Sequence, residues 1–328
     1  MHDLLTHTAL SVVIAGFIVG LIVGVTGMGG GALMTPTLIF LGVGDTTAIV
    51  TADLVASAFS KTGGALVHAR AGSTHWPLAK WLILGSVPTA LLGPEVLSLV
   101  VQPGQLDQVL MVAIGIAMLL AAATYAARLY LNLRRVRGGG EAADPDPRIL
   151  PVATVLVGAL GGLLVGITSV GSGSVIMVAL LTLYPGLPAV RLVGTDMVQG
   201  IPLVLAAAIS NIFLHGLQWD IVIPLIVGST PGTMIGSRVA PHVPQSFVRR
   251  AIVVVLTMSA VALLDKAQIG LFGGGSHPLA AVAVGAAVVI LLPLVWGAIR
   301  RRQGLPMFGA PTVAELERLP GDRQRSRG

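Results

Sequence analysis

A glycine-rich break occurs twice in this chain, each time inside a long apolar run. Gly24-Val25-Thr26-Gly27-Met28-Gly29-Gly30-Gly31 returns as Gly166-Ile167-Thr168-Ser169-Val170-Gly171-Ser172-Gly173. Runs of about 20 apolar residues are what a helix needs to cross the hydrocarbon core. Irregular backbone at that depth is tolerated only where it is buried in protein or lines a polar cavity, because lipid offers its amides no partner. The breaks therefore dictate an all-α polytopic membrane fold with a polar centre. Two breaks at matching places in two halves are the sequence signature of a transporter's substrate site.

Composition agrees. Of 328 residues, 54% are hydrophobic and 10% charged, with mean hydropathy +0.89, against roughly 25% charged in soluble domains. No large soluble domain fits in what remains. Met1-His2-Asp3 lacks the basic region of a secretory signal, and the apolar stretch from Leu10 runs into the glycine motif, so it is expected to be retained. Zero cysteines remove disulfides, thiolate metal sites and cysteine nucleophiles. There is no G-x-x-x-x-G-K-S/T nucleotide loop, and neither a cofactor nor a metal is expected.

Apolar segments fall at 10–25 and 33–41 around the first break, then 47–66, 78–100 and 106–130; in the second half at 149–167 and 175–184, then 190–213, 220–240 and 247–264, with one more at 279–299. An offset of 142 aligns Gly24 with Gly166, Gly16 with Gly158 and Gly20 with Gly162. After one inserted residue near Pro185, an offset of 143 aligns Asp53 with Asp196, Trp76 with Trp219, Ser86 with Ser229, Pro88 with Pro231 and Gly93 with Gly236. Ordered matches of Asp, Trp and Pro mark an internal repeat. The expected organisation is a first membrane repeat at 8–131, a polar cytoplasmic linker at 132–148, a second repeat at 149–265, an extra span at 278–300 and a polar cytoplasmic tail at 301–328. That makes about seven to nine membrane helices. A short helix is conceivable at 312–319.

Basic residues orient the chain, because cytoplasmic loops collect Lys and Arg. If each glycine motif lets the chain dip in and return, Arg70, the group Arg128, Arg134, Arg135 and Arg137, the group Arg238, Arg249 and Arg250, and Arg300-Arg301-Arg302 fall on one side. Lys266 alone falls on the other. A straight crossing at each motif would scatter them. The two repeats are therefore expected to be inverted, each opening with a broken or re-entrant helix, and the net charge of +6 is a topology signal and not a nucleic-acid footprint. A bacterial-type cytoplasmic membrane is the expected location.

These residues resemble the TauE/SafE sulfite-exporter family of membrane permeases, whose two modules each open with a G-x-G-G-G stretch after an apolar helix and a Pro a few residues later. Gly27-Met28-Gly29-Gly30-Gly31 with Pro36 matches, and His68 to Trp76 resembles the polar stretch after the second helix. The second copy departs, with Ser169 for Gly27, Ser172 for Gly30 and Val178 for Pro36. The resemblance covers about residues 10–265. It implies export or uptake of sulfite, sulfonates or related small sulfur-containing anions.

The residues point to an anion independently. A helix beginning inside the membrane presents free amides and the positive end of its dipole, so Gly29, Gly30 and Gly31 in one break and Gly171, Ser172, Gly173 and Ser174 in the other are candidate cradles. Thr26, Thr168, Ser169, Ser172 and Ser174 offer hydroxyl donors. The competing reading is that the glycines allow close helix packing. Asp53 and Asp196, at equivalent positions, are candidates either for coupling a proton or sodium ion or for helix capping. Lys61 either attracts the anion or pairs with Asp53, or else snorkels to an interface. His68 and Gln199 are weaker coupling or gating candidates, and Pro88, Pro202 and Pro231 are expected to kink helices. The expected function is a secondary transporter working by alternating access, one repeat rocking against the other. An anion channel of the same architecture is the alternative. An intramembrane serine protease using Ser172 is disfavoured, because His215, His242 and His277 fall at helix ends or in loops and the first repeat has no matching serine.

Overall fold

A computed structural model describes residues 2–26, 30–70, 72, 74–137, 147–171, 173–239, 245–267 and scattered positions between 283 and 301, with the side chains of 2–7, 26, 63–70, 103, 125–137, 189–190 and 245–250 outside the description. Apart from one short 3-10 turn, every regular element among these residues is an α-helix. The first half gives α1 (His2–Thr26), α2 (Gly31–Leu41), α3 (Thr46–Arg70), α4 (Trp76–Val100) and α5 (Leu106–Arg137). The second repeats the order as α6 (Pro151–Thr168), α7 (Val175–Leu183), α8 (Ala189–His215), α9 (Trp219–Val239) and α10 (Gln245–Lys266). The aligned Trp76 and Trp219 each open a helix, α4 and α9, and both are exposed, as interfacial tryptophans are.

Among the described residues, five stretches are apolar and long enough to cross a membrane: Thr8–Val25, Trp76–Val100, Leu106–Thr124, Pro151–Thr168 and Arg191–His215. Polar side chains dilute α3 and α9, and several of them are buried between helices: Asp53, Ser57 and Lys61 on α3, Ser229 on α9. α5 continues through Arg137, so the first residues of the expected polar linker are helical; residues 138–146 lie outside the description, as do the tail beyond 301 and the expected helix at 312–319. Of the extra span, only isolated helical positions are described.

Glycine spacing explains how the long helices meet. Gly16, Gly20 and Gly24 recur every fourth residue on one face of α1, while Leu10, Ile14, Ile18 and Ile22 on its other face are exposed. A Cβ at Gly20 would come within 2.5 Å of the Ser229 carbonyl of α9, and one at Gly24 would collide with that of Thr233. Gly228, Gly232 and Gly236 return the contact against Val13, Phe17 and Leu21. The partner positions advance together along both helices, so α1 and α9 run side by side in the same direction. The counterpart pair behaves likewise: Gly158, Gly162 and Gly166 of α6 press on Leu82, Ser86 and Ala90 of α4. Close approach through small residues is how apolar helices gain dispersion contacts where lipid gives no hydrophobic drive. Part of the sequence motif thus has a packing role, because Gly24 and Gly166 lie inside helices and not in the breaks.

The breaks reverse the chain. α2 has 11 residues and α7 has nine, about 16 and 14 Å, half the hydrocarbon thickness. At the far end of α7 the Tyr184 hydroxyl accepts from Leu150 N at 3.0 Å and lies 2.6 Å from Thr154 Oγ1, back at the start of α6. In the first half, α2 stops at Gly42, whose φ of 65° is the left-handed geometry of a helix C-cap. Gly44 then packs on Gln218 and Ile221 at the beginning of α9, beside the start of α1. Lys266 of α10 donates to the Ile39 carbonyl at 3.0 Å, satisfying the C-terminal end of α2 with a cation.

Candidate functional site

The two breaks touch. Gly31, first residue of α2, sits so close to Ser169 that a Cβ there would overlap the Ser169 carbonyl oxygen. Ser169 in turn has φ 59°, uncommon for a residue with a side chain, and its N–H closes α6 by donating to Val165 O at 2.8 Å. Thr168 beside it donates to Leu164 O at 2.6 Å and accepts from Val170 N at 3.1 Å. Gly171 follows with φ 118°. From α8, Asn211 Nδ2 donates to Gly166 O at 3.0 Å, so carbonyls left over at the end of α6 find partners.

Around this junction a carboxylate gathers hydroxyls from three segments. Asp53 Oδ2 accepts from Thr35 Oγ1 of α2 at 2.6 Å and from Ser169 Oγ of the second break at 2.9 Å. Among the described residues its Oδ1 accepts only a long bond, 3.4 Å, from Ser57 Oγ one turn along α3. Asp53 lies seven residues inside α3, and Asp196 seven inside α8, so neither caps a helix and the capping alternative falls. Asp196 Oδ1 accepts from Gln199 Nε2 at 3.0 Å, and Gln199 Oε1 lies 3.5 Å from Ser86 Oγ of α4. Lys61 is buried, at 8% exposure, which removes the snorkelling alternative. Its Nζ lies against Gly200, 3.2 Å from where a Cβ would be, and its charge acts on both Asp196 and Asp53. One ammonium therefore serves two carboxylates.

The remaining expected residues divide. Gly30 borders Asp53 and Ser57. Ser174 is buried at the N-terminus of α7, and no side chain caps either α2 or α7, so both short helices present first-turn amides toward the breaks. Gly173 is half-buried there. Gly29 and Ser172 lie outside the described residues, as do the side chains of Thr26 and His68 and all of His242 and His277. Pro88, Pro202 and Pro231 all lie inside unbroken helices.

Sequence reasoning passed over Thr35, Ser57, Ser86, Ser229 and Asn211. One signal was available: Asp53, Ser57 and Lys61 recur at i, i+4 and i+8, a single polar stripe on an otherwise apolar helix. The others come from different helices, and of them only Ser86 and Ser229 are related by the repeat offset.

A small, partly open recess with room for about one water-sized species adjoins this cluster, lined by Gly30, Asp53, Ala56, Ser57, Ser229 and Thr233 among others.

The comparisons with known proteins agree with this architecture. The sulfite exporter TauE/SafE family model matches residues 12–263. A Bacillus subtilis (strain 168) protein described as "Probable membrane transporter protein YjnA" is 35% identical over 253 residues, which are 75% of this chain and 97% of that protein. No solved structure matches the chain. The match spans both breaks and all ten helices in whole or in part, and the chain belongs to the sulfite exporter TauE/SafE family of integral membrane transporters.

Proposed function

We propose that this membrane transporter moves a small sulfur-containing anion, sulfite or a related sulfonate, by alternating access at the junction of its two glycine breaks. The observation that carries the reading is the contact of Gly31 with Ser169, which joins two interrupted helices from different halves beside buried Lys61. The N-termini of α2 and α7, which carry no side-chain cap, favour negative charge through the helix dipole. Lys61 supplies the formal positive charge, and the surrounding hydroxyls give donors without adding more.

The inverted relation of the halves is supported by the directions of their helices. α2 returns to the start of α1, so α3 sets out from that side; α4 follows α3 after five residues and runs back. α9 runs with α1, and α6 with α4, so α6 opposes its counterpart α1. The same path carries the ends of α3, α5 and α9 to one side, with Arg70, Arg137 and Arg238, and Lys266 to the other. That side is cytoplasmic under the positive-inside rule.

The test is a binding and flux screen on the purified full chain. Sulfite, thiosulfate, sulfonates, sulfate and carboxylates are scored for thermal stabilisation, which a ligand of the folded state produces by mass action, and active ligands are then followed into proteoliposomes. Sulfur anions should stabilise the protein and be transported. A response confined to carboxylates would overturn the substrate assignment.

A further inference from the structure

The two halves differ at one buried place in a way that bears on ion coupling. In the second half, Gln199 bridges Asp196 and Ser86. The 143-residue offset sets Ala56 opposite Gln199, Asp53 opposite Asp196 and Ser229 opposite Ser86. Where the second half has a carboxamide the first has a methyl group, and there the recess opens, lined by Asp53, Ala56, Ser57, Ser60, Ser229 and Thr233.

Gly20, Val23 and Met34 complete an otherwise apolar lining, among which these side chains present several oxygens. Ser229 is 95% buried and its hydroxyl has no hydrogen-bond partner among the described residues, an arrangement that costs free energy unless something else enters. Thr233 Oγ1 donates to Ser229 O at 2.8 Å and Ser60 Oγ to Ser57 O at 3.1 Å. With those protons committed to backbone, the two oxygens retain lone pairs. Asp53 Oδ2 already accepts two hydroxyl donors, as an ionised carboxylate does, while Oδ1 has only the 3.4 Å contact among the described residues.

We propose that this recess is a binding site for a sodium ion, held by Asp53 Oδ1 with the hydroxyl oxygens of Ser57 and Ser229, and that the ion couples to anion transport. The inference rests on the anion-transporter reading above and names its co-substrate. A hard monovalent cation takes carboxylate and hydroxyl oxygens of this kind. Charge supplies the coupling: Asp53 and Asp196 both draw on the ammonium of Lys61, and a sodium ion on Asp53 releases that ammonium's charge toward the anion, so each ion favours the other and the coupling is reciprocal.

The experiment measures the melting temperature of the detergent-purified full chain against sodium chloride, with choline chloride holding ionic strength constant, with and without sulfite. Sodium should raise the melting temperature by on the order of 5 °C over a hundredfold range above half-saturation, and potassium should not reproduce it. Ala56→Gln places in the first half the carboxamide that the second half already holds. It should fold and lose the sodium response, as should Ser229→Ala and Asp53→Asn. An equal response to potassium or choline, a response to acid in place of sodium, or full sodium stabilisation in Ala56→Gln would each overturn the proposal. Sulfite stabilisation that persists with no sodium response would overturn the sodium site while leaving the anion reading intact.

Discussion

Replacing Gly31 by alanine tests whether the two breaks meet as described. The new methyl group overlaps the Ser169 carbonyl oxygen, and ordinary contact requires the second break to retreat by more than ~1 Å. Ser169 Oγ lies 2.9 Å from Asp53 Oδ2, so that retreat takes it beyond hydrogen-bond distance. Overpacking costs about 1–3 kcal/mol, and a lost hydrogen bond to a buried charge about 1.5–3 kcal/mol. Together they come to roughly 2.5–6 kcal/mol, or a melting temperature lower by about 5–12 °C for a chain of this size. Two other glycines calibrate the effect. A Cβ at Gly30 meets Ser57 Oγ at 3.2 Å, a flexible side-chain end, and one at Gly104 meets nothing within 4 Å. Melting curves and uptake of radiolabelled sulfite into proteoliposomes should therefore rank Gly104→Ala as wild type, Gly30→Ala as mildly impaired, and Gly31→Ala as strongly destabilised and inactive. If Gly31→Ala melts within about 2 °C of wild type and transports normally, the breaks do not pack through this pair and the argument fails.

Lys61→Met leaves two buried carboxylates without their shared cation. Breaking a buried charge arrangement costs about 3–5 kcal/mol, and sulfite affinity measured by calorimetric titration should fall at least about tenfold; unchanged affinity would place the anion elsewhere. Gly162→Leu drives a side chain into the Ser86 carbonyl of α4, and should lower the melting temperature by at least about 4 °C. A stable, active Gly162→Leu protein would contradict the α4–α6 contact. Asn211→Ala removes the donor to Gly166 O, at a cost of about 1 kcal/mol. It should speed amide hydrogen exchange in residues 166–171, and protection equal to wild type would argue that water already serves that carbonyl.

Hydropathy and glycine spacing made most helices legible to within a few residues, and α2 and α7 end about where their apolar runs end, whereas α1 begins eight residues before its apolar run and α5 runs seven residues past its own, both through polar sequence. The breaks were legible because three glycines in lipid have few uses. The centre was harder. Asp53 draws its hydroxyls from α2, α3 and a turn 116 residues away, and no local pattern encodes a meeting of that range. Ser169 illustrates the limit: as a residue in a break it reads as a donor for an anion, yet its hydroxyl donates to Asp53. Repeat alignment carried the rest, because Gln199 and Ala56 become informative only when each is seen as the other's counterpart.

The packing of α1 on α9 and of α6 on α4 has a mechanical consequence. Glycine faces pressed backbone to backbone do not slide without collision, so α1 travels with α9, and α6 with α4. In the alternating access proposed above, the bodies that move are then expected to differ from the two halves written in the sequence. Each candidate moving body contains helices from both, and its hinges belong at the short connections α3–α4 and α8–α9, where the chain passes from one body to the other. A label pair placed on α1 and α9 should hold its distance through the transport cycle, while a pair on α1 and α4 should not.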